Sequence, residues 1–462
     1  MKVINTAKIL LLTLLITLGI CYVGGCAKPP LRQPKSEDTA VYKDTDHEFN
    51  YKKEAWAGPE GYVIVVPKED PNAYSSALLL QEYYNTLEIQ PQIVTDETEK
   101  SEKEILVGNT NRTNNIKLTE AELKVYLDGQ KLVFSGGHSV TVDSAVKKFI
   151  RLAPGKNEVY TFSIKTDFES QLQGELSGYK YIWGDEFEGN ELDPKNWNLA
   201  VNMSGSKSVE LSKAENVVCV SDGRLKLHAL SYFNNNRPTT EYRVPYSVVT
   251  QKKMNYVYGY MEVRSRIPYK PGCWPSFWTR STDYLSGSRN YDYMVEVDIY
   301  EIFKTNRAYS TLHKWYTAKF DYNGRYNPLK KSGKAVSTNT ANGYVATNPN
   351  HYIFKQTPTL TYEYHTYGYE WTPTEIKMSV DRKVFCTFDI TKSFDKNPDQ
   401  SGFHDPQYII FNNHLFHPEI STACVSIKTV PQSLPAAHYV DYIRLYQKDG
   451  VGKVYTEKVQ EE

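Results

Sequence analysis

The chain has 462 residues, enough for two domains with separate hydrophobic cores. Lys and Arg total 54, as do Asp and Glu, and no basic patch stands out, which argues against a nucleic-acid-binding protein. The 37 Tyr and 7 Trp residues suit both an all-β core and sugar stacking, so they decide nothing alone. The six cysteines lack zinc-like spacing and indicate no disulfide framework.

Residues 1–25 have the pattern of a bacterial lipoprotein signal peptide. Two lysines flank the start of an apolar run over residues 9–20, which is short for a membrane span. The sequence Val-Gly-Gly that precedes Cys26 resembles a lipobox, with an ordinary signal peptide cleaved elsewhere as the alternative. Acylation of Cys26 predicts a lipid-anchored, surface-exposed protein of the bacterial cell envelope. Residues 26–50 are polar and predict a flexible tether.

Residues 51–170 alternate strand and helix patterns, which predicts a small α/β layer. The predicted strands are 62–67, 104–108, 123–127 and 131–134, and the predicted helices are 73–84 and 142–152. The run from Glu104 to Arg112, with a later Gly-Gly pair, resembles a non-catalytic α/β domain that precedes the catalytic domains of several glycoside hydrolases. We expect an accessory or spacer domain, in which Asn111 and Arg112 form a capped turn rather than a sugar site.

Residues 178–450 consist of predicted short strands separated by Gly, Pro, Asn and Asp turns. This pattern is typical of a β-sandwich or jelly roll. The predicted fold class is therefore an all-β, concanavalin-like jelly roll preceded by a smaller α/β domain.

The most informative strand of the jelly roll lies over residues 294–303, where apolar residues alternate with acids. Strict alternation would bury Glu301 in the core without a partner, which is costly for a carboxylate. One extra residue, a β-bulge near Ile299, resets the phase. Glu296, Asp298 and Glu301 then share one face of the strand.

Three acids on one face suit the hydrolysis of a glycosidic bond with retention of configuration. This reaction needs an ionised carboxylate as nucleophile and a protonated carboxylic acid, with their oxygens about 5–5.5 Å apart. Glu296 is the candidate nucleophile, Glu301 is the candidate acid and base, and Asp298 between them can tune both. The alternative interpretation is a solvated strand face that happens to be acidic.

Neighbouring motifs make the acidic pattern specific. Three segments together resemble the signature of glycoside hydrolase family 16: Tyr258 to Pro268, Gly272-Cys-Trp-Pro-Ser-Phe-Trp278 and Glu296-Val-Asp-Ile-Tyr-Glu301. The segment Trp183-Gly-Asp-Glu-Phe187 and the later Trp197 resemble the start of that family's catalytic domain. The resemblance covers roughly residues 180–447. It implies a retaining endo-β-glycanase that needs no organic cofactor or catalytic metal.

Further candidate site residues lie on strands beside the acids. Trp274 and Trp278 stand four apart and can both offer sugar platforms, although one of the pair is expected to pack in the core. His313 and Trp315 share a face of the next strand, which the resemblance places in the cleft. Asn412 matches the position of an asparagine that lies near the substrate in the family. All five are predicted substrate-binding residues.

The family resemblance also bears on metal and substrate. Many members hold a structural calcium, and Gly223 and Asp441 match its positions. A laminarin-type β-1,3-glucan is the expected substrate, because the segment ending at Trp278 is most similar to that branch. Agar, porphyran, carrageenan and mucin-type glycans stay open, because the segment before Glu296 lacks typical laminarinase residues. A transglycosylase and a non-catalytic glycan-binding lipoprotein stay open as well, and no obligatory protein partner is evident.

Overall fold

The computed structural model describes residues 49–112, 116–200, 209–212, 217–234, 237–267, 273–281, 293–304, 307–316, 336–337, 363–391, 403–415 and 436–456. The predicted signal peptide, Cys26 and nearly all of the predicted tether lie outside these described residues. Within the described ranges, no helix is both long and apolar enough to cross a membrane.

The N-terminal layer is a seven-stranded sheet with two helices. Its elements are β1 (Lys52–Ala55), β2 (Val63–Val66), α1 (Pro71–Thr86), β3 (Ile93–Thr95), β4 (Glu104–Val107), β5 (Glu122–Asp128), β6 (Lys131–Gly136), α2 (Ser139–Arg151) and β7 (Glu158–Lys165). The strand order is β1-β7-β5-β6-β4-β2-β3. The pairs β2–β3, β2–β4 and β4–β6 are parallel, and the other pairs are antiparallel.

Both helices of this layer begin at a side-chain cap. The Asp70 carboxylate accepts hydrogen bonds from two backbone N–H groups of α1, and Pro71 occupies the first turn, where no N–H is needed. His138 caps α2 in the same way. The apolar faces of the helices and the sheet form one core. Each predicted helix or strand of this layer overlaps an observed one, with ends that differ by three residues or fewer. Strands β1, β3 and β7 lack a fully buried apolar run and are not predicted from the sequence.

The second half folds into strands, apart from one 3₁₀ turn at Gly174–Leu176, in the part of the chain that the structure describes. These strands are β8 (Lys180–Asp185), β9 (Asn198–Ala200), β10 (Val209–Ser212), β11 (Val218–Ser221), β12 (Arg224–Asn234), β13 (Arg237–Pro245), β14 (Ser247–Val249), β15 (Met254–Val257), β16 (Gly259–Arg266), β17 (Cys273–Ser281), β18 (Tyr293–Lys304), β19 (Arg307–Tyr316), β20 (Val336–Ser337), β21 (His365–Trp371), β22 (Glu375–Val380), β23 (Lys383–Asp389), β24 (Gln407–Leu415), β25 (Ala436–Gln447) and β26 (Lys453–Thr456).

These strands form two packed sheets. The ten-stranded sheet has the order β10-β13-β12-β25-β16-β21-β22-β23, with β11 beside β12 and β8 beside β25. The nine-stranded sheet has the order β20-β19-β18-β17-β24-β14-β9, with β15 and β26 attached to it through β24. Apolar side chains from both sheets fill the space between them in one core. The predicted jelly-roll fold class is confirmed, and strand β18 lies inside the nine-stranded sheet.

Ion pairs connect the α/β layer to the jelly roll. Glu188 of the jelly roll pairs with Lys148 and Arg151 of α2. Arg444 of β25 is almost fully buried and pairs with Asp167, in the segment between β7 and β8, at 2.8 Å. The predicted boundary between residues 170 and 178 falls in this same segment. Its exact limits stay a prediction.

Candidate active site

A β-bulge in strand β18 sets the direction of the acids. Ile299 has no partner on β17, because Tyr300 pairs with Phe277 while Asp298 pairs with the adjacent Trp278. The pairing with β19 shifts at the same place. The extra residue puts Ile299 and Tyr300 both into the core, while the acids on either side keep the opposite face. The predicted bulge is confirmed.

The surroundings of Glu301 on balance favour its protonated form. Trp274 donates its indole N–H to Glu301 Oε1 at 2.8 Å, and Asp298 is hydrogen-bonded to the same carboxyl group. Burial raises the pKa of Glu301 well above its ordinary value, and the charges of Asp298 and Glu296 raise it further. The indole N–H opposes this shift without cancelling it. A carboxyl group that keeps its proton can donate it to a leaving oxygen.

Glu296 has different neighbours. It is half-buried, and the register places Arg280 of β17 and His313 of β19 directly opposite it. Opposite charges that face each other across a strand pair attract, so the position of Arg280 suits an ionised Glu296. The side chains of His313 and Trp315 lie outside what the structure describes, so their predicted sugar contacts stay predictions. Glu296 and Glu301 thus have the separate environments that two catalytic roles require.

The two tryptophans both lie on the acid-bearing face, but they differ in exposure. Trp274 is half-buried beside Glu301. Trp278 is only 8% exposed and packs against apolar side chains of β14 and β24. Its indole N–H donates to Asn412 Oδ1 at 3.3 Å, so the buried Asn412 side chain holds Trp278 in place. Trp274 is therefore the more exposed of the two, and its sugar contact stays a prediction, whereas Trp278 packs, as expected for one of the pair.

His414 is a buried residue beside Trp274 that the sequence analysis missed. It lies opposite Trp274 in the register of β24 with β17, so it shares the acid-bearing face. Burial lowers the pKa of His414 to about 4, and among the described residues its Nε2 has no hydrogen-bond partner. His414 lies two residues after Asn412, and residues two apart share a strand face. This spacing is the sequence signal that could have identified it.

The predicted calcium positions do not form a metal site by themselves. The Asp441 carboxylate accepts a hydrogen bond from the guanidinium of Arg264, and Gly223 forms a turn with a φ of 74°. Calcium takes about six to eight oxygen ligands, more than these two residues supply. No group of three or more His, Cys, Asp or Glu side chains among the described residues could hold a metal ion. Calcium binding stays a prediction.

Comparisons with known proteins agree with this geometry. Residues 206–410 match the model of glycosyl hydrolases family 16. The chain is 27% identical over 280 residues to a beta-glucanase of Rhodothermus marinus, which covers 58% of this chain and 85% of that protein. It is 25% identical over 291 residues to glucan endo-1,3-beta-glucosidase A1 of Niallia circulans, which covers 59% of this chain and 38% of that protein.

The chain is also similar to a solved structure that concerns endo-acting O-glycanases of human gut microbiota, which initiate mucin breakdown. The identity is 24%, the match covers 61% of this chain and 94% of the other, and the TM-score is 0.44.

A jelly roll that presents three acids on a bulged strand, one of them with a raised pKa, has the arrangement of a glycoside hydrolase. The family match and the sequence relatives make the assignment more specific. Residues 206–410 thus match a family 16 glycosyl hydrolase domain, as the sequence motifs predict, and the sequence relatives support an endo-glycanase.

Proposed function

We propose that this endo-glycanase cleaves β-linked polysaccharides by double displacement with retention. Glu296 attacks the anomeric carbon, and the leaving oxygen takes its proton from Glu301. Water then hydrolyses the glycosyl-enzyme and gives a proton to Glu301. Asp298 supports the protonated form of Glu301 through their hydrogen bond. The observation that carries this proposal is the raised pKa of Glu301 on the same strand face as Glu296.

The proposed substrate is a laminarin-type β-1,3-glucan. This choice is supported by two sequence relatives, which are named a beta-glucanase and a glucan endo-1,3-beta-glucosidase. It is also supported by the segment that ends at Trp278 and supplies Trp274 beside the proton donor. An indole ring gives a sugar an apolar platform that fixes its orientation. Because Trp274 donates a hydrogen bond to Glu301, we propose that this platform lies next to the leaving group.

We also propose that the enzyme works at the bacterial cell surface, anchored through a lipid on Cys26. The lipobox-like sequence before Cys26 supports this location. The ion pairs of Glu188 with α2 would then hold the α/β layer as a spacer against the catalytic domain. In the native host, Cys26→Ala should release the protein from the membrane fraction. Retention of this variant in the membrane fraction would contradict the anchor.

The test of the function uses residues 27–462 and a panel of laminarin, mixed-linkage glucan, agarose, porphyran, carrageenan and mucin glycans. We expect oligosaccharides from laminarin, and we expect Glu296→Gln to release none. Glu60→Gln changes an exposed glutamate of the α/β layer and serves as the matched control. Binding without cleavage across the panel would favour a glycan-binding lipoprotein. Products longer than the substrate would favour a transglycosylase, and cleavage of another glycan would correct the substrate alone.

A further inference from the structure

A row of buried polar groups crosses the jelly-roll core behind the acids. Tyr300, the bulge residue before Glu301, places its hydroxyl 3.0 Å from Ser265 Oγ and 2.8 Å from His438 Nε2. His438 Nδ1 lies 2.9 Å from the backbone carbonyl oxygen of Asn412. Ser265, Tyr300, His438 and the Asn412 carbonyl form what we call the core row, and all four residues are buried.

Every hydrogen bond of the core row has a defined direction. A carbonyl oxygen can only accept, so His438 Nδ1 donates to Asn412. Burial lowers the pKa of His438 to about 4, which keeps the imidazole neutral and leaves Nε2 as an acceptor. The Tyr300 hydroxyl therefore donates to His438, and the Ser265 hydroxyl donates to Tyr300. A buried network with all its bonds formed is rigid, because each broken bond leaves a polar group unpaired.

The core row joins both sheets at the level of the acids. Ser265 and His438 lie on β16 and β25 of the ten-stranded sheet, whereas Tyr300 and Asn412 lie on β18 and β24 of the nine-stranded sheet. Within the row, Tyr300 is the residue that directly precedes Glu301 in the chain. At the Asn412 end of the row, the side chain of Asn412 accepts the indole N–H of the buried Trp278. A displacement of the core row would therefore move both Glu301 and Trp278.

We propose that Tyr300 and His438 are positioning residues that hold the bulge so that Glu301 keeps its hydrogen bonds to Trp274 and Asp298. This proposal rests on the proposed role of Glu301 as the catalytic acid. The bulge turns Tyr300 away from the cleft and into the core, so it acts on Glu301 through the backbone and not by touching the substrate.

A neighbouring tyrosine shows that packing alone does not require these bonds. The rings of Tyr367 and Tyr300 have centroids 4.5 Å apart, and both residues are buried. Within the described ranges, the Tyr367 hydroxyl has no hydrogen-bond partner. The core therefore accepts an aromatic ring at this place without a bonded hydroxyl. We therefore assign the two hydrogen bonds of the Tyr300 hydroxyl to holding strand β18 in position.

The test compares Tyr300→Phe with Tyr367→Phe, each of which removes one buried hydroxyl and keeps the ring. For Tyr300→Phe we expect kcat to fall roughly tenfold to 100-fold, since small displacements of catalytic groups cost that much. We also expect the alkaline limb of the pH profile of kcat to move to lower pH. The reason is that Glu301 loses the Asp298 hydrogen bond that raises its pKa. Tyr367→Phe should change neither kcat nor the pH profile.

A second pair of variants separates positioning from loss of stability. The amide oxygen of His438→Gln can reach the former place of Nε2 and accept from Tyr300, whereas His438→Asn reaches only the place of Nδ1. We expect His438→Gln to keep the wild-type alkaline limb and His438→Asn to shift it. The proposal is overturned if the alkaline limb of the pH profile of kcat shifts in neither Tyr300→Phe nor His438→Asn, whatever the thermal stability of these variants. A wild type that cleaves no glycan would instead overturn the proposed function.

Discussion

Two glutamates, one in each half of the molecule, have opposite surroundings. Glu104 of the α/β layer is fully buried and pairs with Arg112 and with Lys131, the latter at 2.9 Å. Burial opposes its ionisation, but the hydrogen bonds from Lys131 and from the backbone of Ser101 and the charge of Arg112 outweigh burial. The pKa of Glu104 therefore lies below its ordinary value.

Glu301 of the jelly roll is half-buried and lies among groups of a different kind. An indole N–H and two further acids act on it, and its pKa lies well above its ordinary value. The first arrangement suits a structural ion pair, and the second suits the proton donor that we propose. The comparison teaches that the charge of the neighbours, and not burial itself, separates a structural carboxylate from a catalytic one.

The largest expected effect comes from Glu301→Gln, which keeps the size of the side chain and removes the transferable proton. Hydrolysis of the polysaccharide should fall by about 10²- to 10⁴-fold, the usual contribution of a general acid. An aryl glycoside with a good leaving group needs no such proton, so the burst of released phenol should survive. Glu104→Gln is the matched control and should leave kcat unchanged. An equal loss of kcat in both variants would contradict the comparison.

The next largest effect is on stability. Arg112→Met removes one of the two counter-charges of the buried Glu104, leaves Lys131 as the other, and should lower the free energy of unfolding by up to about 3–5 kcal/mol. Urea denaturation measures this loss. The specific activity of the molecules that remain folded should equal that of the wild type. A stability change close to zero would mean that the buried pair contributes little.

The smallest effects concern pH, and the two glutamates should show opposite signs. Glu104 has a lowered folded pKa, so its stabilisation is complete above its ordinary value of 4.5 and is lost as the pH falls through the folded pKa. Glu104→Gln should therefore be less stable than the wild type above pH 4.5, with a deficit that shrinks in acid. Unfolding curves at a series of pH values measure this.

Glu301 has a raised folded pKa, so the wild type loses stability as the pH rises from the ordinary value of 4.5 through the folded pKa. Glu301→Gln cannot ionise and should gain stability relative to the wild type over that range. Unfolding curves at the same series of pH values measure this gain in stability. A pH dependence of the same sign in both variants would contradict the assigned environments.

Local sequence rules predict much of the fold and the acidic face. Alternation predicts β18, and the cost of burying Glu301 predicts the bulge, because both depend on residues adjacent in the chain. Strands β1, β3 and β7 are not predicted, because their partly buried residues show no clear alternation of apolar and polar side chains.

Long-range pairings explain the functional groups that the sequence does not reveal. His414 joins the acid-bearing face only through its register with Trp274, and Tyr300 meets His438 from the other sheet, 138 positions along the chain. No local pattern marks such partners. Trp278 illustrates the same limit, because its face follows from alternation while its burial follows from packing by β14 and β24.

The most direct test of the central claim is the anomeric configuration of the first product. Residues 27–462 would be mixed with laminarin, or with whichever β-linked glycan of the panel is cleaved, and followed by proton NMR from the first minutes. Our account predicts that the β-anomer of the new reducing end appears first and that mutarotation then produces the α-anomer. Initial appearance of the α-anomer would mean direct attack by water. That result would contradict the role of Glu296 as the nucleophile.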